Sequence, residues 1–172
     1  MFEERKINPE LLKQYREQGY WKNETLLDCW ERAAAQYPDR EYVVDDRGYR
    51  YTYRELDEAA GRVASYLMEL GIRPGEVVSY QFPIWSEFAM LTIACYKVGA
   101  VAHPIAMSYE EKELARSLNV TESRCYFGPT YFYKTDYEER ILAVRDQTPL
   151  LKDIVLIDRV KPAKSSVRLL RE

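Results

Sequence analysis

Short apolar segments alternate with helix-like segments along the second half of the sequence, and this alternation constrains the fold more than any other feature. A turn at Pro74-Gly75 leads into the first segment, and Gly or Pro stands at several later boundaries. Parallel strands need long crossovers, usually helical, so the order predicts right-handed crossovers and a mainly parallel sheet with helices on both faces. The predicted strands are 76–82, 100–104, 124–127 and 153–158, and the predicted helices are 86–97, one from Ser108 and one from Thr135.

Four segments carry the spacing of a capping box. In such a box a Ser or Thr and an acidic residue three positions later satisfy each other's backbone N–H groups at a helix start. The clearest helix has one apolar face and is closed by Gly71 and Pro74. Ser86 is predicted to cap the helix after the first strand. The predicted boxes are Thr25/Asp28, Thr52/Glu55, Ser108/Glu111 and Thr135/Glu138.

The first half of the sequence is organised differently. A polar helix is expected over 8–19, a second helix from Thr25, and a β-hairpin around the Asp-Arg-Gly turn at 46–48, where Gly suits a positive φ. The last residues have no apolar periodicity and read as a tail or linker, either ordered or disordered. The predicted parts are 1–70 (N-terminal helices, hairpin and first core helix), 71–158 (the α/β part) and 159–172 (the tail).

Composition argues against several classes of function. The net charge is −3 and the pI is about 5.4, with Lys and Arg interspersed among Asp and Glu, so no basic surface for nucleic acid is expected. The longest nearly apolar run, 88–96, is too short to span a membrane, and the first residues lack the apolar core of a secretory signal. Three scattered cysteines fit free thiols in the cytoplasm, and a single His without a Cys-x-x-Cys pair argues against a zinc site.

Two motifs resemble the first two core motifs of the acyl-adenylate-forming (AMP-binding) superfamily. They are Tyr-Thr-Tyr-Arg-Glu-Leu at 51–56 and Lys-Val-Gly-Ala-Val-Ala-His-Pro at 97–104, and the segments between them match in order and spacing. The resemblance runs from about residue 21 to residue 158. Within the superfamily, the segments at 19–21 and 82–85 look most similar to acyl-CoA ligases for cyclic and aromatic acids, such as cyclohexanecarboxylate, or for medium-chain acids.

The resemblance implies the incomplete N-terminal domain of an acyl-CoA synthetase. Such enzymes use ATP and Mg²⁺ to convert a carboxylate to an acyl-adenylate, and CoA then displaces AMP. They bind the phosphates with a loop that typically ends Gly-x-Pro-Lys-Gly and use a Lys on a later domain, and neither occurs in these 172 residues. The resemblance therefore assigns this chain no catalytic residue, no metal ligand and no tightly bound cofactor, and the chain alone is predicted to be inactive.

Five residues are weighed for a functional role. In some relatives the loop with Ala106, Met107 and Ser108 borders the CoA nucleotide, and helix starts favour anions, although simple capping by Ser108 is the alternative. Trp85 is a candidate for the wall of an acyl pocket, or it only covers the carboxyl edge of the sheet. His103 has no acidic residue within several positions and is expected to be structural rather than a general base.

Two other interpretations stay open beside the ligase fragment. In the first, the chain is a stand-alone, non-catalytic module on the same fold, whose exposed faces favour a partner or a homo-oligomer. In the second, it is an independent nucleotide-binding domain, which no Gly-rich fingerprint supports. For the ligase fragment, the expected partner is the rest of the ligase chain or a complementing subunit.

Overall fold

The computed structural model describes residues 8–159 and the short strand 168–169, and its centre is a parallel sheet of five strands. These strands are β3 (Val77–Tyr80), β4 (Val101–Pro104), β5 (Cys125–Pro129), β8 (Asp153–Ile157) and β9 (Arg168–Leu169). Across the sheet the order is β4, β3, β5, β8 and β9, and Val78 of β3 lies between Ala102 and Cys125. The predicted parallel α/β fold is confirmed.

Both faces of the sheet are buried, because successive residues of each strand point to opposite sides. In β5 and β8, Phe127 and Val155 belong to the core on one face, whereas Tyr126 and Ile154 belong to the core on the other. The first face is covered by α3 (Tyr53–Glu69) and α4 (Ser86–Val98), and the second by α5 (Glu111–Val120) and α6 (Tyr137–Val144). A 3₁₀ turn follows α6 at Arg145–Gln147. Burial on both faces explains why these strands are continuous apolar runs.

The N-terminal part packs against the outer side of α3 and α4. Its elements are α1 (Pro9–Glu17), α2 (Leu26–Gln36), and a hairpin of β1 (Glu41–Val44) and β2 (Arg50–Thr52). A third apolar cluster joins Trp30 of α2 to Leu56, Ala60 and Ile93. Gly48 has a φ of 81° in the hairpin turn, as predicted, whereas α1 contributes no buried residue.

The predicted division at residue 70 falls inside one core. Leu67 and Leu70 at the end of α3 pack in the same cluster as Val78 of β3, so the division stays a prediction. Of the predicted tail, the structure describes only Arg159 and the backbone of Arg168–Leu169, and the rest lies outside the described residues. Within the described part of the chain, the helices are too short or too polar to cross a membrane.

Two of the four predicted capping boxes are confirmed. The Thr25 hydroxyl accepts a hydrogen bond from the Asp28 N–H at 3.1 Å, and the Asp28 carboxylate accepts one from the Thr25 N–H at 2.6 Å. Thr52 and Glu55 make the same pair of bonds at 3.3 and 2.9 Å. Hydrogen bonds from the backbone N–H and the hydroxyl of the capping Thr lower the pKa of both carboxyls.

A small hairpin that the sequence did not predict follows β5. It consists of β6 (Tyr131–Phe132) and β7 (Thr135–Asp136). Its tip lacks the Gly or Asn that usually signals such a turn, and Tyr133 takes the left-handed conformation there, with a φ of 57°. Because Thr135 belongs to a strand, the predicted Thr135/Glu138 box is wrong. Asp136 caps α6 instead, accepting a backbone N–H at 3.0 Å.

The predicted caps at Ser108 and Ser86 are also wrong. α5 begins after Glu110, which makes no side-chain capping bond, and Ser108 lies in the turn before it. Ser86 is the first residue of α4 rather than the residue before it. Its hydroxyl is engaged by the side chains of Asp45 and Glu87, so it is not available to the helix backbone.

Candidate functional site at the carboxyl edge of the sheet

The loops that leave β3 and β5 lie side by side at the carboxyl edge of the sheet. β3 continues into α4 on one face, whereas β5 continues through the small hairpin into α6 on the other face. Adjacent strands whose connections diverge in this way leave a crevice beyond their ends, which is where open α/β sheets bind ligands. The candidate residues at 85 and 106–108 belong to loops of this edge.

An apolar cleft of about 310 Å³ opens at this edge. Trp85 and Met107 lie on its wall, and the other lining residues are Phe82, Pro83, Ile84 and Phe88. Hardly any polar atom faces the cleft, so it offers space for an apolar group but no charge for a carboxylate or phosphate. The structure therefore brings Trp85 and Met107 together, whereas Ala106 and Ser108 are exposed and do not line the cleft.

The loop that carries Met107 is held in place by side chains that donate hydrogen bonds to its backbone carbonyl oxygens. Gln81 Nε2 donates to the carbonyl oxygen of Ala106 at 2.7 Å, and the Tyr137 hydroxyl donates to that of Met107 at 3.1 Å. Tyr126 in turn donates to Gln81 Oε1 at 2.9 Å, so the amide of Gln81 is fixed in orientation. Two consecutive carbonyls are thus tied to the sheet and to α6, which fixes the position of this loop.

Tyr126 occupies its place because Gly128 leaves room for it. A Cβ atom at Gly128 would lie 2.6 Å from the Tyr126 hydroxyl oxygen and 2.8 Å from the ring, closer than real Cβ contacts allow. Burial raises the pKa of Tyr126 well above that of an ordinary phenol, so the hydroxyl stays protonated and remains a donor. The glycine is therefore required by a close approach of side chain to backbone rather than by a turn.

A buried ionic network lies behind the cleft. Arg159 Nη1 pairs with Asp45 Oδ2 at 3.0 Å, and Nη2 pairs with Glu87. The Arg159 side chain is 8 % exposed and that of Asp45 is fully buried. Ser86 Oγ lies between the groups, 3.4 Å from Asp45 and 3.3 Å from Arg159. The network joins the hairpin turn, the start of α4 and the end of β8, which are far apart in sequence.

Both members of the central pair stay charged. Burial raises the pKa of Asp45, but hydrogen bonds from Arg159 and from the N–H groups of Arg47 and Tyr49, each at 3.0 Å, outweigh it, so the pKa lies below its ordinary value. Burial lowers the pKa of Arg159, but Glu87 and Asp45 outweigh that effect and raise it. The arrangement serves as an anchor rather than as an acid–base pair.

Trp85 is fixed by the same network. The guanidinium carbons of Arg159 and Arg47 lie 5.0 and 5.5 Å from the centre of its ring, and Phe132 meets the ring edge-on at 5.7 Å. Arg159 also lies 5.0 Å from the Tyr49 ring, and its carbonyl accepts a bond from Arg47 Nη1 at 3.1 Å. Contacts between cations and aromatic faces contribute about 0.5–2 kcal/mol each. The wall of the cleft is thus rigidly placed.

His103 lies away from the cleft, on the α5 face of the sheet. Its Nδ1 is 2.7 Å from Ser79 Oγ, which also contacts Ser123 Oγ, and its Nε2 is 3.4 Å from Ser117 Oγ. Burial lowers the pKa of the imidazole. Among the hydrogen bonds of the described residues, none joins the ring to a carboxylate. These contacts fit a structural histidine, which stays a prediction.

The amino edge of the sheet has a wider cleft, of about 530 Å³, with a mixed lining of charged and apolar residues. Arg124 lies 3.9 Å from carboxylate oxygens of both Glu76 and Asp153, at the limit of an ion pair. The chain reverses here at Gly99, which has a φ of 76° and ends α4 as predicted. A Cβ at Gly99 would lie 3.3 Å from Pro74. This edge is thus held by close backbone packing and by long, partly exposed ion pairs.

Sequence reasoning missed the residues that organise the carboxyl edge: Gln81, Tyr126, Asp45 and Arg159. Apart from the two N–H groups of the hairpin turn that bind Asp45, their partners lie 25 to 114 positions away, so a local pattern does not identify them. One signal was available, because both Asp45 and Arg159 are charged residues that follow apolar strands. Asp45 comes directly after β1 of the hairpin, and Arg159 lies two residues after β8 of the parallel sheet. Within the described residues, no three His, Cys, Asp or Glu side chains come together as a metal site.

Known proteins share this sequence and fold. A family model described as AMP-binding enzyme matches residues 30–169. The medium-chain fatty-acid–CoA ligase of Escherichia coli K12 is 40% identical over 155 residues, which are 90% of this chain and 27% of the relative. The 2,3-dihydroxybenzoate-AMP ligase of Bacillus subtilis 168 is 31% identical over 147 residues, which are 86% of this chain and 27% of the relative.

The fold is similar to a solved structure as well. The apo structure of MbtA from Mycobacterium smegmatis matches with a TM-score of 0.76 and 27% identity, over 87% of this chain and 27% of that one. The chain thus spans about a quarter of the length of the curated relatives it matches. The resemblance drawn from the two motifs at 51–56 and 97–104 is confirmed, and the chain belongs to the AMP-binding enzyme family, within the acyl-adenylate-forming superfamily.

Proposed function

We propose that this chain is the N-terminal part of an ATP-dependent, AMP-forming ligase that activates a carboxylic acid and transfers it to CoA. The observation that carries this proposal is the 40% identity over 90% of the chain to a medium-chain fatty-acid–CoA ligase. That degree of identity across nearly the whole chain supports an acyl-CoA ligase, with a medium-chain acid as the first substrate to test. The acid-adenylating relatives support aryl acids as the second class.

In the proposed reaction, a carboxylate oxygen attacks the α-phosphorus of ATP, the acyl-adenylate forms, and pyrophosphate leaves. The sulfur of CoA then attacks the acyl carbon, and AMP leaves with the bonding electron pair. Both steps need preorganised donors around phosphoryl oxygens. The described residues provide no metal site and no phosphate loop. We therefore assign ATP and Mg²⁺ binding to other parts of the enzyme and propose that the 172 residues alone are inactive.

Within this chain, we assign two supporting roles to the carboxyl edge. Trp85 and Met107, which share the wall of the apolar cleft, are proposed to face the acyl side of the site. The exposed residues Ala106 and Ser108, with Met107 between them, are proposed to border CoA. Three free cysteines among the described residues fit a reducing compartment, and we propose the cytoplasm.

The test is carboxylate-dependent ATP–pyrophosphate exchange. The protein at its native size in the source cells and the isolated 172-residue chain are assayed side by side with octanoate, decanoate, benzoate and 2,3-dihydroxybenzoate. We expect exchange by the native protein with at least one acid, and none above background by the isolated chain. Exchange by the isolated chain would refute its inactivity, and a native protein that exchanges with none of the acids would refute the ligase assignment for these substrate classes.

A stand-alone binding module is the second candidate. The observation that favours it is the exposure of large apolar side chains at the carboxyl edge, with Ile84 at 85 % and Tyr133 at 86 %. Such a module would have a native mass of 20.3 kDa and would form a stable oligomer or complex. Size-exclusion chromatography with light scattering of the native protein tests this candidate. A monodisperse 20.3 kDa monomer at micromolar concentration would contradict it, because such a monomer forms neither an oligomer nor a complex.

A further inference from the structure

We infer that Gln81 is a positioning residue of the proposed ligase, whose buried side-chain amide sets the spacing of the two walls of the apolar cleft and thereby selects the acyl groups that fit. One wall begins at Phe82, the next residue in the sequence, and the other wall is Met107. This inference rests on the proposed function, since it takes the cleft to hold the acyl group. It goes further in naming the residue that controls which acids are selected.

The side chain of Gln81 lies where the paired strands β3 and β4 separate. The ladder between them continues as far as the Ile105 N–H, which donates to the Tyr80 carbonyl oxygen at 2.8 Å. One residue further along each segment, Gln81 Nε2 donates to the Ala106 carbonyl oxygen at 2.7 Å. Beyond these residues the two segments continue as the two walls of the cleft. The amide therefore joins the walls at the point where they diverge.

Gln81 is held at its backbone and at both ends of its amide. The residue is 0 % exposed, and its N–H donates to the Phe127 carbonyl oxygen at 2.9 Å. Its Oε1 accepts a hydrogen bond from the Tyr126 hydroxyl at 2.9 Å. The carbonyl of Ala106 can only accept a hydrogen bond, so the NH₂ group of the amide must face it. The amide thus has a single orientation, and the distance that it spans is fixed.

The turn that carries Met107 is also held by bonds that do not involve Gln81. A hydrogen bond of 3.1 Å from the Tyr109 N–H closes the turn. The Tyr137 hydroxyl donates to the Met107 carbonyl oxygen at 3.1 Å, and Arg140 Nη1 donates to the Tyr109 carbonyl oxygen at 2.9 Å. Both of these donors belong to α6. Removal of the Gln81 amide would therefore leave the turn bound to α6 but would release it from the opposite wall of the cleft.

The spacing of the walls matters because selection in an apolar cleft depends on fit. The cleft has a volume of about 310 Å³ and hardly any polar atom, so it distinguishes acyl groups by size and shape rather than by hydrogen bonds. One methylene group more or less in a hydrophobic pocket changes kcat/KM by about 10–200-fold. A wall that can move accommodates both the smaller and the larger acid. The discrimination then falls, whereas the reacting carboxylate is unaffected.

The test compares acids of graded size with the native-size protein. The double variant Gln81→Met/Tyr126→Phe removes the amide together with the hydroxyl bonded to it, and replacing both partners of a buried hydrogen bond by apolar groups of similar shape is nearly neutral for stability. Ser79→Ala is the matched control, since Ser79 is equally buried on the same face of the sheet and contacts His103 rather than the loop. ATP–pyrophosphate exchange is measured with the even-numbered acids from hexanoate to dodecanoate, and with benzoate and its 4-methyl and 4-ethyl derivatives.

For the double variant, we expect the ratio of kcat/KM between the best acid and its next larger neighbour to fall about five-fold, through KM, with kcat for the best acid within about two-fold of the parent. Ser79→Ala should keep the ratio of the parent. Hydrogen exchange of a peptide that covers residues 105–109 should become faster in the double variant, whereas that of α6 should not, because the release is confined to the turn.

Three results would overturn the inference and leave the ligase assignment intact: an equal loss of kcat/KM for every acid, a profile like that of the parent, or a parent that does not discriminate between neighbouring acids. If the double variant does not fold, Tyr126→Phe decides, because it keeps the bond from Gln81 to Ala106 but lets the amide rotate. A ratio equal to that of the parent would then overturn the inference. A native protein that exchanges pyrophosphate with none of the acids refutes the proposed function, and the inference with it.

Discussion

The two edges of the parallel sheet are held together in different ways. At the amino edge Gly99 lies beside Pro74, and the Arg124 side chain, which is 21 % exposed, lies 3.9 Å from each of its two carboxylates. At the carboxyl edge Arg159 is 8 % exposed, lies 3.0 Å from a fully buried Asp45, and joins segments 114 positions apart. Partners distant in sequence meet at both edges, but only at the carboxyl edge is the ion pair short and buried.

This difference indicates that side chains are held in fixed positions more firmly at the carboxyl edge than at the amino edge. Buried charges need good geometry to offset their loss of water. The short, buried ion pair lies at the carboxyl edge, where Arg159 also fixes the position of Trp85. Hydrogen bonds from Gln81 and Tyr137 fix the loop at Met107 at the same edge. That is the edge at which we propose that the acid and CoA are handled.

The difference between the two edges is tested most directly by removing the central cation of each edge. Arg159→Leu leaves Asp45 and Glu87 buried without their partner, and we expect it to lower the free energy of unfolding by about 3 kcal/mol. Arg124→Leu removes only long ion pairs and should cost about 1 kcal/mol or less. Urea unfolding followed by circular dichroism measures both. Equal losses at the two edges would show that the distinction between them has no energetic basis.

A smaller effect is expected from the close approach at Gly128. Gly128→Ala places a methyl group against the Tyr126 ring, and such overpacking costs about 1–3 kcal/mol. The matched control is Gly61→Ala in α3, where a Cβ would meet no atom within 4 Å. That change should stabilise the chain by about 0.5–1 kcal/mol through helix propensity. Thermal unfolding of the two variants should therefore shift in opposite directions, and shifts of the same sign would contradict the assignment of Gly128.

A third comparison concerns Thr52 and Ser108, because the sequence predicts that both hydroxyl side chains cap a helix. Thr52→Ala removes a real helix cap and should cost about 1 kcal/mol. Ser108→Ala should change the stability by no more than a few tenths of a kcal/mol, because Ser108 caps nothing in the described structure. Guanidinium unfolding curves at equal protein concentration would resolve the pair. A Ser108→Ala loss as large as that of Thr52→Ala would restore the predicted cap.

The smallest effect is on the dependence of stability on pH. The pKa of Asp45 is lowered in the folded state, so its contribution is present above the ordinary carboxyl pKa near 3.8 and is lost as the pH falls through the lower folded value. With Asp45→Asn, the free energy of unfolding should therefore fall less steeply as the pH drops below about 4. The number of protons taken up on unfolding should decrease by less than one per molecule. Urea unfolding of the parent and the variant between pH 3 and pH 6 tests this expectation, and equal slopes for the two proteins would contradict it.

Much of the fold could be predicted from the sequence because its rules are local. Apolar runs, Gly and Pro boundaries, and the boxes at Thr25 and Thr52 placed the central strands and helices in the right order. The errors arose where tertiary contacts override a local pattern. Ser108 fits a box, but it lies in a turn closed by a hydrogen bond from the Tyr109 N–H to the Ala106 carbonyl, and α5 begins only after Glu110.

Less of the candidate site could be predicted. The sequence singled out Trp85 and Met107, which share the cleft, but it gave no reason to join them. The ties that position them run through Gln81, Tyr126 and Arg159, whose partners are distant in sequence. Arg159 in particular lies in the predicted tail, because a single charged residue after a strand is only a weak signal. Only folding brings its carboxylates within reach.

The first helix has a consequence for how the molecule opens. α1 has nine residues, an Asn8 cap and no buried side chain. Isolated helices shorter than about twelve residues are marginal in water. Its amides will therefore exchange their hydrogens with solvent through local openings, while those of β5, which is buried along its length, will exchange only when the whole domain unfolds. The cooperative unit of this chain thus begins after α1, and a protease that removes the first helix should leave the sheet intact.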